Sequence, residues 1–182
     1  MRRRVMPTAL VLLALMLDTA VIPFVLESPY IVALTGVTVM ALGVYLGRMH
    51  GMLYGMIGGL LTDILVGYLL GFNTFVYIAL GFFAGMIAYQ PPEVLATRSP
   101  LRTAIFRAMT FFGLSLAREI VIYGYQYFHT AQFESVYLLN ILIRALLAAL
   151  LGLLLGPLEA RAVLGKPARY RQTSARQEVK FF

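Results

Sequence analysis

The chain contains no cysteine and no tryptophan, only two histidines, and eight acidic residues among 182. Without cysteine there is no disulfide, no thiolate metal site and no cysteine nucleophile. His50 and His129 fall at opposite ends of predicted helices, a membrane's width apart, so they share neither a metal nor a triad. His-Glu-x-x-His, Gly-x-Gly-Asp and the phosphate-cradling G-x-x-x-x-G-K-[ST] are all missing. Gly113-Leu114-Ser115 has the outline of an intramembrane serine nucleophile, but such a serine needs a histidine at its own depth. The expectation is a protein without enzymatic activity, metal or cofactor. The lack of tryptophan leaves any interfacial aromatic belt to the eleven tyrosines.

Apolar residues are abundant: 60% of the chain is hydrophobic and 13% charged, too apolar for a soluble domain of this size. Apolar stretches recur along most of the chain and read as spanning helices. Six are placed at 5–26, 30–48, 51–70, 73–90, 102–128 and 135–157, forming an all-α polytopic membrane bundle over 1–160 followed by a basic cytoplasmic tail, 161–182. Pro29, Pro91, Pro92, Pro100 and Pro157 punctuate helix ends, Pro7 sits in a first turn, and Pro23 bends the first helix. Met1-Arg-Arg-Arg4 resembles a signal-peptide start, but the apolar run to Leu26 is too long and no Ala-x-Ala site follows, so an uncleaved first helix is expected.

With the N-terminus inside, the inner segments hold Arg2, Arg3, Arg4, Arg48, Arg98, Arg102 and the basic residues from Arg161 to Lys180. The outer loops hold Glu27 and Glu134 but no lysine or arginine. The positive-inside rule then accounts for the net charge of +7 with both termini cytoplasmic, and nucleic acid is not an expected partner. The tail reads as an anchor or as a dock for anionic lipid or a cytoplasmic partner.

The third helix carries Gly51, Gly55, Gly59, Asp63, Gly67 and Gly71 at four-residue steps, and the sixth carries Asn140, Arg144, Ala148, Gly152 and Gly156. Ridges of small residues let another backbone approach closely, within the chain, in a partner or in a homo-oligomer. Each step advances about 40° beyond a full turn, so the inner and outer halves of the glycine ridge are expected on different neighbours.

Asp18, Asp63, Arg118, Glu119 and Arg144 lie inside apolar segments, where a charge costs about 2.5–3.5 kcal/mol and usually faces a partner or cavity. All but Glu119 come out at one depth. An Asp63–Arg144 contact with Asn140 as an extra donor, beside an Asp18–Arg118 pair, is expected; swapped partners or one network of four fit equally. Glu119 points about 100° away from Arg118. Such a layer either fixes helix register or serves as a relay, substrate site or dock.

The run Gly51-Met-Leu-Tyr-Gly55-Met-Ile-Gly58-Gly59-Leu-Leu-Thr-Asp63, its exit through Gly67 and Gly71, and Gly81 and Gly85 resemble the rod shape-determining MreD family. The resemblance covers about 5–157 and is most specific over 51–85. It implies a scaffold subunit of the bacterial elongation and peptidoglycan-synthesis machinery in the inner membrane. Such a subunit binds the single-span protein MreC and works beside RodA, a transpeptidase penicillin-binding protein and MreB filaments. It also implies a fold similar to the substrate-binding subunits of energy-coupling-factor vitamin transporters. A vitamin-uptake subunit is the competing reading, although Ala9, Ala14 and Ala20 lack the four-residue spacing of its docking stripe.

Overall fold

The computed structural model describes residues 2–21, 32–66, 71–90, 99–130 and 136–164. These form six helices: α1 (Arg2–Met16, continued by a π-helical turn, Leu17–Val21), α2 (Leu34–Leu46), α3 (Arg48–Val66), α4 (Phe72–Ala88), α5 (Pro100–Thr130) and α6 (Val136–Leu164). Among the described residues there is no strand. Each predicted helix has its counterpart, with shifted ends. The third helix starts at Arg48, joined to α2 through the single residue Gly47, whose φ of +95° suits glycine. Pro7 lies inside α1 rather than in its first turn. Pro157 does not end the last helix, which runs on to Leu164, so Arg161 belongs to α6 and not to a tail. Pro23, Gly67 and residues 165–182 lie outside the described residues.

The closest packing joins α3 to α4. A methyl group on Gly51 would overlap the Gly81 carbonyl, one on Gly55 the Tyr77 carbonyl, and one on Gly59 the Thr74 backbone. The ridge of α3 therefore meets α4 along its whole described length and is not divided between two neighbours. The i±4 row is itself inclined to the helix axis, so a straight helix laid at that inclination stays on it. Gly43 of α2 joins the same contact at Gly81. Gly71 is no part of the ridge: it has open space around it and a φ of +104°, and forms the turn into α4.

The small residues of α6 let it cross α2. Ala148 packs in the core with Met40, Gly152 abuts the Phe111 ring, and Gly156 abuts Tyr45 and Ala41. Beyond the crossing, Glu159 reaches Thr38 and Val163 packs with Leu42 and Val11, on the flank of α2 turned toward α1.

Large apolar side chains are exposed on α1, α3, α4, α5 and α6, including Leu13, Met49, Phe75, Met109 and Leu154, whereas α2 is buried among them. By length and composition, Leu138–Val163 can cross a membrane alone; Val5–Ala20, Leu34–Leu46 and Phe72–Ala88 are shorter apolar helices.

Candidate functional site

Asp18, half-buried, and Asp63, buried, each close the start of a helix. The first N–H groups of a helix have no partner within it, and the helix dipole favours a negative charge there. Asp18, in the π-helical turn that extends α1, accepts the N–H of Leu34 (2.8 Å) and the N–H and hydroxyl of Thr35 (both 2.7 Å), at the first turn of α2. Asp63 of α3 accepts the N–H groups of Gly71 (2.9 Å), Asn73 and Thr74 (both 3.0 Å) and the Thr74 hydroxyl (2.7 Å), at the first turn of α4. Neither Ala33 nor Gly71, the N-cap residues of α2 and α4, supplies a side-chain cap. The preceding helix supplies it instead.

The expected Asp63–Arg144 and Asp18–Arg118 pairs are therefore corrected. Among the described residues the salt bridges are Arg118–Glu119 and Arg144–Glu119, the latter at 3.2 Å. Glu119, expected to face elsewhere, is the centre of the network. Arg118 bends back along its own helix to reach it, and each guanidinium takes a different carboxylate oxygen. The acids found amide donors at helix starts, which satisfy a carboxylate as well as a cation does and lie closer along the chain. Asn140 stands one turn from Arg144, and its Oδ1 accepts no hydrogen bond among the described residues.

Asp18, Arg118, Glu119 and Arg144 nevertheless share one place. A cavity of about 330 Å³ is lined by Asp18, Thr62, Asn73, Tyr77, Arg118, Glu119 and Arg144, with Phe72 and Tyr125 on one wall. The Arg118 guanidinium stands 5.8 Å from the Tyr77 ring centroid, and the Phe72 and Tyr125 rings pack 4.6 Å apart. The charge layer read from the sequence is thus one polar cavity. Asp18 lines it directly, Asp63 stands behind Asn73, whose N–H it accepts, and the cavity holds two guanidiniums on one carboxylate.

The family model described as rod shape-determining protein MreD matches residues 2–156. The chain belongs to the MreD family. Comparison with curated proteins and with solved structures finds no match. The match places this MreD-family chain among proteins of cell-shape determination and of the membrane, and it spans all the cavity residues.

Sequence reasoning missed Glu159. It is 8% exposed, its Oε1 accepts the Thr38 hydroxyl (3.0 Å), and its Oε2 is buried with no partner among the described residues. Treating Pro157 as a helix end put Glu159 beyond the span. The signal was available, since Leu155, Leu158 and Ala162 continue the helical apolar period past the proline. Arg107 of α5 is a second buried-face charge. It lies over the Tyr45 ring at 4.5 Å and donates to that hydroxyl at 3.2 Å.

Proposed function

We propose that the chain is a non-enzymatic, multi-pass scaffold of the bacterial inner membrane. In this reading it spans the membrane six times with both termini inside, and holds a single-span MreC-type protein within the peptidoglycan-synthesising elongation machinery. The family match over residues 2–156 carries the reading. Three features support it. Exposed apolar side chains on the five helices that surround α2 suit lipid and partner helices better than water. Backbone contact between α3 and α4 makes a stiff centre against which outer faces can be read. The outward-lying loops lack lysine and arginine, as an N-in arrangement requires. RodA, a transpeptidase penicillin-binding protein and MreB filaments are partners at one remove, reached through the single-span protein.

The charged cavity favours a second reading, a substrate-binding subunit of a vitamin transporter. One experiment separates the two. The tagged full chain is purified from native membranes in mild detergent and its companions are identified by mass spectrometry. A single-span protein in near-stoichiometric amount supports the scaffold. Coupling ATPases or a bound small molecule would replace it with the transporter reading.

A further inference from the structure

A second cavity, of about 300 Å³, opens between α1 and α6 over the flank of α2. Its walls are Leu10, Leu13 and Leu17 on α1 and Leu155, Leu158 and Ala162 on α6. Both walls follow the same spacing of three and four residues, the stripe by which one helix receives another. Leu13 and Leu158 form the open rim, 59% and 56% exposed. Inside lies Glu159, with one carboxylate oxygen taken by Thr38 and the other buried and unpartnered among the described residues. No salt bridge among the described residues reaches it. A buried carboxyl group left half-satisfied is costly, and the cost falls when a donor enters.

The position of the carboxyl group selects the occupant. Leucines flank it along both walls, so the polar group it meets must sit within an apolar span. A phospholipid carries its ammonium at the end of its chains. A transmembrane helix carries side chains anywhere along its length. We infer that this cleft is the docking groove for a transmembrane helix of the single-span partner. That helix carries a basic side chain inside its apolar span and places it on Glu159. The inference rests on the scaffold reading and adds the face and the chemistry of the contact.

The test places a photo-crosslinking benzoylphenylalanine at Leu13 or Leu158 of the full chain in native membranes, with Phe75 and Met109, exposed on α4 and α5, as controls. The expected result is capture of one single-span protein from Leu13 and Leu158 but not from the controls, through a segment that contains Lys, Arg or His. Glu159→Lys should lower that yield about thirtyfold or more, and changing the partner's basic residue to Glu should restore it. Leu158→Trp, which fills the rim without touching the carboxyl group, should lower the yield as well and guards against misfolding of the Glu159 variant. Cross-links to lipid alone, or to a segment without a basic residue, would overturn the groove while co-purification of the single-span protein left the scaffold standing. Failure of any single-span protein to co-purify would overturn both.

Discussion

The Asp63 carboxylate is held by three backbone amides and a hydroxyl, so its loss should be felt at the start of α4 and not at an arginine. Asp63→Ala should lower stability by about 1–2 kcal/mol, the range of a lost helix cap, read as thermal unfolding in detergent. The charge-swapped pair Asp63→Arg with Arg144→Asp should be no more stable than the worse single variant; recovery in the swap would show that the two are partners after all. Glu119 is the more sensitive position. Glu119→Leu leaves two guanidiniums without their carboxylate, a loss of about 3–5 kcal/mol by analogy with broken buried pairs. Arg144→Leu should cost less, because the Arg144 side chain is 34% exposed and water can take over part of its role. The same unfolding assay ranks the two, and an equal or reversed order would remove Glu119 from the centre.

At the scale of elements, the backbone contact between α3 and α4 sets the expectation. Gly81→Ala places a methyl group on the Gly51 carbonyl, and overpacking of this kind costs about 1–3 kcal/mol. Gly113→Ala, with nothing within 4 Å of the new methyl, should be neutral or slightly stabilising. Equal effects in the unfolding assay would contradict the packing. The helices and this ridge were legible because apolar length and four-residue spacing are local properties of a chain. The neighbours of each charge were not. Which donor a carboxylate finds depends on how helix starts are brought together, and nothing at Asp63 itself announces Thr74. A clue existed in retrospect: an acid late in one helix, followed by Thr in the first turn of the next, occurs for Asp18 with Thr35 and for Asp63 with Thr74. Pro157 misled for another reason. Proline interrupts one hydrogen bond, but surrounding helices in an apolar setting keep the rest in place, so the helix continues.

For the whole molecule, the orientation is open to direct test, since the absence of cysteine makes every introduced thiol unique. His50→Cys and Phe128→Cys both lie at exposed positions. An impermeant maleimide should label Phe128→Cys on intact cells with a permeabilised outer envelope, and His50→Cys only once the inner membrane is opened. The opposite pattern would invert the arrangement. Beyond topology, the passage of α6 across α2 has a consequence for how the protein is made. Val163, in the last described turns, seals the seam between α1 and α2 at Val11 and Leu42. α1, made before α6, thus has part of its inner face covered only once α6 is in place. Until then that part must be sheltered by lipid or by an insertion factor, and a chain stopped at Pro157 would retain most of α6 yet leave the seam at Val11 and Leu42 exposed to proteolysis.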